Sequence, residues 1–349
     1  MQIVGDVPQA ARSLSSVWGG SKNSFFGPFS FALPSFCCLI YPSGRLRQGV
    51  FKVLSVDKNM DDANFFSLPR LQARPVQAHK GDFGHALLVG GGPGMSGAIT
   101  LTALAALRCG AGLTTVAARS HTRQIVQTRT PCAMTMALDE VSQGYLAESA
   151  AKQILKRHAP GTVLGIGPGL GRESSQDRMV VEVFHRWPGS AVIDADALNA
   201  ISEAIVEWES IQGVRVMTPH PGEWARISKI QPDQPQEQQK AAKELAKKTR
   251  MVIVLKGHQT LVTDGDRHYS NTTGNPSLAV GGSGDVLTGI IVAMLCQGLD
   301  PFEASVLSVY LHGLAGDLAH AQLGTPSTLG TDLIDFLPAA FRHYRDTAT

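Results

Sequence analysis

Three glycine-rich segments of the 349-residue chain are the places where backbone could come closest to a ligand. The most informative runs from Gly274 to Asp285 and leads into an apolar stretch that reads as a helix. Within it, Gly281-Gly282-Ser283-Gly284-Asp285 sets three glycines and a carboxylate at the helix start. The first turn of a helix offers unpaired N–H groups and a partial positive charge. Glycines there let phosphate oxygens reach those donors, which makes an anion hole for a transferring phosphoryl group. Asp285 would then be the general base that takes the proton from a substrate hydroxyl. Its competing reading is a helix cap, but capping alone does not call for Gly-Gly-x-Gly ahead of it. Gly282, Ser283, Gly284 and Asp285 are therefore the expected catalytic set.

The other glycine segments say less. Gly165-Ile166-Gly167-Pro168-Gly169-Leu170-Gly171 follows an apolar run, and four glycines in seven residues favour close approach by a ligand over a plain turn. Gly92, Gly94 and Gly97 spell G-x-G-x-x-G within Gly90–Gly97. A dinucleotide fingerprint also needs an acid about 20 residues on, at the end of the next strand. That strand ends at Ala118-Arg119-Ser120, without one. A dinucleotide contact and a tight turn for helix packing both stay open.

Three further strand ends carry polar groups. Lys256-Gly257-His258-Gln259-Thr260 could hold a phosphate or ribose, or be a β-turn with a solvated lysine. His220 is fixed between Pro219 and Pro221, either to orient substrate or as a turn histidine. Asp194 and Asp196 could stand near Mg2+, usually through water, with no direct metal ligand expected. Their other reading is a cap, with Asp196 or Asn199 opening the next helix.

The elements that must position these groups alternate. Apolar runs predict strands at Ala86–Val89, Leu113–Ala118, Thr162–Ile166, Ala191–Asp194, Arg215–Thr218 and Met251–Leu255. Helices are predicted at Ala98–Cys109, Tyr145–His158, Ser175–Trp187, Asn199–Glu209 and Gln234–Lys248, then near Asp285–Gln297, Pro301–Ala321 and Thr331–His343. Asp300-Pro301-Phe302-Glu303 has the form of a capping box with proline at the first helical position. Such alternation implies an α/β fold, a mostly parallel sheet with helices on both faces. Ligands then bind at the carboxyl ends of the strands.

Composition excludes several classes. Hydrophobic residues make up 43%, enough for a large core, and the formal charge of +2 comes with no basic stripe. Nucleic acid is not an expected partner. The five cysteines are odd in number and form no C-x-x-C pair, so neither a disulfide scaffold nor a zinc site is expected. That usage suits a cytoplasmic protein. The early apolar run Phe31–Tyr41 is broken by Pro34 and Ser35 and falls short of the ~20 residues of a membrane span. The first 60 residues differ from the rest: six basic residues against two acids, six phenylalanines and no glutamate. They lack a clean period, and residues 1–67 are read as an extension of little structure, with Met60 as an alternative start. Residues 68–346 would form the catalytic domain.

Taken together, the motifs resemble one family. Gly281–Asp285 is similar to the anion hole and base of the ribokinase-like superfamily. The segments His79–Gly84, Gly97–Gly112, Gly167–Gly171, Asp194–Asn199, Thr218–Glu223, Lys256–Thr260 and Gly274–Gly289 resemble, in family order, the ADP/ATP-dependent NAD(P)H-hydrate dehydratases. The resemblance covers about 270 residues. It implies a ribokinase-like fold and a lyase that repairs the S-epimer of hydrated NADH or NADPH. ADP or ATP would be co-substrate, Mg2+ would assist, and AMP or ADP and phosphate would be released. By the same likeness Asp285 is the base, and Lys256, Gly257, His258, Gln259, Thr260, Gly284 and Asn275 hold the nucleotide. Ala98, Gly169, Gly171 and His220 would contact the hydrated dinucleotide. The likeness also implies a homotetramer and an epimerase as functional partner; the head is too short for a fused epimerase domain. Two positions depart from the family pattern: Cys132 where a glutamate after the proline is frequent, and Ser277 where glycine or alanine is common. A vitamin-alcohol kinase of the same superfamily shares the Asp285 loop and is the competing function. A nicotinamide oxidoreductase would rest on Gly92–Gly97 alone.

Overall fold

The computed structural model describes residues 68–141 and 143–347. The head and the Met60 alternative lie outside them. Among the described residues nine strands form one sheet in the order β3-β2-β1-β4-β5-β6-β7-β8-β9. They are β1 (His85–Val89), β2 (Leu113–Ala118), β3 (Met134–Ala137), β4 (Thr162–Ile166), β5 (Ala191–Ile193), β6 (Arg215–Met217), β7 (Val252–Leu255), β8 (Leu261–Thr263) and β9 (His268–Ser270). β1 to β7 pair in parallel, and β8 and β9 close the edge as antiparallel strands. The α/β expectation holds.

Alternate residues of the strands serve opposite cores, as the period of two requires. Ala86, Leu88, Val163, Val192 and Val216 face one core. Against it pack α1 (Ser96–Arg108), α8 (Ser283–Cys296), α9 (Pro301–Leu323) and α10 (Gly330–Thr347). Leu87, Val89, Leu164, Ile166, Ile193 and Met217 face the other. That side is covered by α3 (Ala150–Leu155), α4 (Ser174–Arg186) and α5 (Ala195–Glu203). A smaller cluster joins Ile253, Leu255 and Leu261 to α6 (Pro221–Ser228) and α7 (Pro235–Thr249). α2 (Ser120–Arg129) lies between β2 and β3 in the chain.

Several predicted boundaries need correction. The helix expected over Tyr145–His158 is only Ala150–Leu155, because Leu146 pairs with Glu140 in an antiparallel bridge. The helix expected from Asn199 starts at Ala195, with Asp194 as its N-cap residue rather than Asp196 or Asn199. His220 is not in a free turn; it caps α6, whose first residue is Pro221. The capping box at Asp300 is half realised: Asp300 Oδ1 accepts the N–H groups of Phe302 and Glu303.

The strand order reverses between β1 and β4, where a doubly wound sheet opens a crevice at the strand ends. The loops leaving β1 and β4 are the first two glycine segments. They are joined there by Gly91 N–H to Pro168 O at 3.0 Å and Gly92 N–H to Gly169 O at 2.5 Å. A Cβ on Gly92 would stand 1.9 Å from Leu170 O. Gly92 therefore serves loop-on-loop packing, and the dinucleotide fingerprint loses its first glycine. Gly92→Ala should cost about 2 kcal/mol, the usual scale for overpacking against a part that cannot yield. Urea denaturation measures it, and an unchanged midpoint would contradict the packing role.

Candidate functional site

The N-terminus of α8 stands over the carboxyl ends of the central strands. Gly282 is its N-cap residue and adopts φ 90°, a left-handed conformation that glycine takes without strain. The helix begins at Ser283, so the N–H groups of Gly284 and Asp285 fall in the turn that has no intrahelical acceptor. Thr102 on α1 donates to the backbone O of Asp285 at 3.0 Å and ties the two helices at this turn. The Asp285 carboxylate makes no hydrogen bond among the described residues, and it caps nothing. Burial pushes its pKa up, Asp194 pushes it further, Lys256 opposes, and the result is about 7. A carboxyl poised near neutrality and unspent on structure suits a general base.

Lys256, just past β7, is the cation of the site. Its Nζ lies 2.9 Å from Asp194 Oδ1 and 3.9 Å from Glu223 Oε2. A methyl added to Gly284 would stand 3.4 Å from the same Nζ, so the ammonium borders the α8 N-terminus. Burial pulls the Lys256 pKa down, but the attraction of Asp194 and Glu223 outweighs it and holds the group protonated. Glu223, which the sequence reading left without a role, is buried, and burial raises its pKa.

Asp194 is tied into the site by its neighbours. It is 1% exposed. Oδ1 accepts from Lys256 Nζ and from Thr218 Oγ1 at 2.8 Å, and Oδ2 accepts from Thr288 Oγ1 at 2.8 Å. Three donors thus hold the carboxylate in place, two on Oδ1 and one on Oδ2. Asp196 accepts the Gly171 N–H on Oδ2 at 2.8 Å. Between the two acids, Ala195 adopts φ 50°, unusual for a residue with a side chain. Among the described residues no group of three His, Cys, Asp or Glu is placed to hold a metal ion.

The residues expected to face a dinucleotide lie around Gly169 and Gly171. A Cβ on Gly169 would meet Ala98 Cβ at 2.8 Å, so these two expected contacts are neighbours. Tyr145 and the exposed Met95 border Gly171. His220 Nδ1 accepts the N–H groups of Gly222 and Glu223 at 3.0 and 3.3 Å. Burial and the charge of Lys256 lower its pKa. A neutral ring with Nδ1 as acceptor carries its proton on Nε2, 3.4 Å from Glu223 Oε1.

The loop expected to face a nucleotide is more open. Gly257, His258 and Gln259 are exposed in the β7–β8 loop, closed by Thr260 Oγ1 to Gly257 O at 3.1 Å. A cleft of about 220 Å³ adjoins it, walled by Pro221, Pro232, Pro235, Leu255 and Leu261. Asn275 is bonded within its own loop and to α9. Its Nδ2 donates to Asp317 Oδ1 at 2.8 Å and its Oδ1 accepts from Ser277 N–H at 2.9 Å, so both polar atoms brace the loop. Ser277, the departure from the family pattern, bonds His320 Nδ1 at 2.9 Å and also meets Thr325 Oγ1.

The structure thus gathers Asp285, Gly282–Gly284, Lys256, Asp194 and Glu223 in one place, joined to Gly171 through Asp196. Sequence reasoning missed Glu223, Thr218 and Thr288, and the α9 residues His312 and Asp317. The Glu three residues after His220 was the one legible signal, since that spacing is the capping-box spacing.

Comparison with known proteins agrees with this geometry. A family model described as NAD(P)H-hydrate dehydratase matches residues 86–339. The chain is 44% identical over 283 residues to the bifunctional NAD(P)H-hydrate repair enzyme Nnr of Moorella thermoacetica, covering 79% of this chain and 53% of that protein. It is 33% identical to the ADP-dependent (S)-NAD(P)H-hydrate dehydratase of Bacillus subtilis, covering 78% of this chain and 95% of that one. The crystal structure of the ADP/ATP-dependent NAD(P)H-hydrate dehydratase from Bacillus subtilis, co-crystallized with ATP/Mg2+, superposes with a TM-score of 0.68 at 32% identity, over 78% of this chain and 94% of that one. The chain spans about half the length of the bifunctional Moorella relative it matches.

Proposed function

The chain belongs to the NAD(P)H-hydrate dehydratase family, and from that premise we propose that it returns the S-epimer of hydrated NADH or NADPH to the reduced dinucleotide at the expense of ADP or ATP. The carrying observation is Asp285, a carboxylate with no hydrogen bond among the described residues and a pKa raised to about 7, in the first turn of α8 beside Lys256. Asp285 takes the proton of the hydrate hydroxyl as that oxygen attacks the terminal phosphorus of the nucleotide. The oxygen–phosphorus bond to the nucleotide breaks, and AMP leaves when ADP is used. The N–H groups of the first turn and the Lys256 ammonium receive the charge on the transferring group. The new phosphate ester then loses phosphate and a neighbouring proton, which restores the ring double bond. No water is consumed, and the net change is hydrate plus ADP to reduced dinucleotide, AMP and phosphate.

Ala98, Gly169, Gly171 and His220 face the dinucleotide in this reading, and the Lys256–Thr260 loop with Gly284 faces the nucleotide. Mg2+ brought by the nucleotide would supply positive charge to its phosphates, and no side chain of this site is assigned as its direct ligand. An epimerase activity supplies the S-epimer, and a homotetramer is the expected assembly, measurable by light scattering. Among the described residues no helix is long and apolar enough to cross a membrane.

Incubation with hydrated NADH and either ADP or ATP should restore the near-ultraviolet absorbance of reduced nicotinamide, with one phosphate released per dinucleotide. No recovery with either nucleotide would overturn the proposal. A stable phosphorylated product would make the protein a small-molecule kinase instead.

A further inference from the structure

Helix α9 holds the whole segment that carries the catalytic loop. Asn271 Nδ2 donates to Val309 O at 3.1 Å, and Thr273 Oγ1 to Tyr310 O at 2.9 Å. Asp317 Oδ2 accepts the Gly274 N–H at 2.9 Å and Oδ1 accepts from Asn275. His320 reaches Ser277. These contacts anchor the approach to the loop. One contact goes further, to the catalytic turn itself: His312 Nε2 lies 3.0 Å from Ser283 O and 3.1 Å from Ser283 Oγ.

We propose that His312 is a positioning residue for phosphoryl transfer, whose Nε2–H, shared between the backbone and side-chain oxygens of Ser283, fixes the first turn of α8 so that the Gly284 and Asp285 N–H groups meet the transferring group and the Asp285 carboxylate meets the attacking hydroxyl. The inference rests on the function proposed above. Ser283 O is an acceptor, so the nitrogen facing it carries the proton. Burial holds the imidazole pKa down at about 4, with the nearby Lys256 charge in the same direction. His312 is therefore a neutral donor at working pH and exchanges no proton in the reaction. Its position is adjacent in the chain to nothing in the site; only the fold brings it under Ser283, 29 residues away. Misplacement of reacting groups by about 1 Å can cost ~10²-fold in rate. The cost falls in the transition state, where the turn bears most charge, more than in nucleotide binding.

The experiment compares His312→Leu and His312→Gln with the parent. Leu removes the donor; Gln replaces it with a neutral N–H of similar reach. His312→Leu should lower kcat about 10–100-fold, with the KM for ADP within about threefold. His312→Gln should recover kcat to within about fivefold of the parent and keep its pH profile. Independently of activity, amide exchange in residues 283–286 should rise at least about tenfold in His312→Leu, while the middle of α8 stays protected. Parental kcat and exchange in His312→Leu would overturn the proposal. So would a His312→Gln variant as impaired as His312→Leu. A parent without hydrate activity would overturn the function, and the exchange measurement would still decide the role of His312.

Discussion

Asp285→Asn should lose turnover and gain stability together. Removing a positioned general base costs about 10²–10⁴-fold in rate, while the amide keeps the shape of the turn and the nucleotide contacts, so ADP binding should persist. The stability change follows from the raised pKa. A carboxyl that titrates at 3.8 in the unfolded chain and at about 7 in the fold is disfavoured as an anion by its surroundings, burial first and Asp194 next. Its contribution to stability is complete below about pH 4 and is lost as pH rises through 7. Asparagine does not ionise. The variant should therefore equal the parent near pH 4 and exceed it near pH 8, by at most about 4 kcal/mol. The parent's own kcat/KM should rise with pH through an apparent pKa near 7, because the base must be ionised to act. Denaturation midpoints at the two pH values and a pH–rate profile measure all of this. Turnover near that of the parent would remove Asp285 from the base role, as would a flat profile between pH 6 and 8.

Why that carboxylate could be found without coordinates, while much of its setting could not, has a physical reason. Asp285 lies within a local pattern: glycines, then an acid, then an apolar helix, all inside a dozen residues. The central strands are equally local. Leu113–Ala118 and Thr162–Ile166 have the bounds read from sequence, because strands buried on both faces show as short runs of apolar and β-branched residues. Signals thin out where burial does. α2 buries only Thr122 and Val126, too few apolar positions to show a helical period, and β3 is an edge strand without a fully buried residue. α6 was hidden by its own prolines: Pro219 and Pro221 around His220 read as a rigid turn, yet proline at the first helical position starts a helix. Tyr145–Leu155 has helical composition throughout, but its first half is drawn into pairing with Glu140. The supports of the site are hardest of all to read. Thr288 meets Asp194 across 94 residues, and Lys256 meets it across 62. No window of sequence contains such pairs; the ordering of β5, β6 and β7 and the packing of α8 on the sheet create them.

That long-range pairing makes Lys256→Met the second large effect. The substitution keeps much of the aliphatic volume and removes the charge. Asp194, 1% exposed, then retains, among the described residues, only the hydroxyls of Thr218 and Thr288. Removing one member of a buried pair typically costs 3–5 kcal/mol. The lower end, about 3 kcal/mol, is expected here, because two donors remain and the Lys256 side chain is 20% exposed. Catalysis should suffer for separate reasons. The cation beside Gly284 is lost, so the KM for ADP should rise and kcat fall by about 10²-fold. Lys256 is also the charge that holds the Asp285 pKa down against burial and Asp194. Without it the acid limb of the pH–rate profile should move above 7, and activity should recover partly at higher pH. A double substitution separates the two losses. Lys256→Met with Asp194→Asn removes the stranded anion and should restore most of the stability, since neutral groups of that shape need no counterion. It should not restore nucleotide affinity. If the double variant regained full turnover, Lys256 would be no more than the counterion of Asp194. If the single variant lost stability with no shift in its acid limb, the coupling of Lys256 to Asp285 would be refuted.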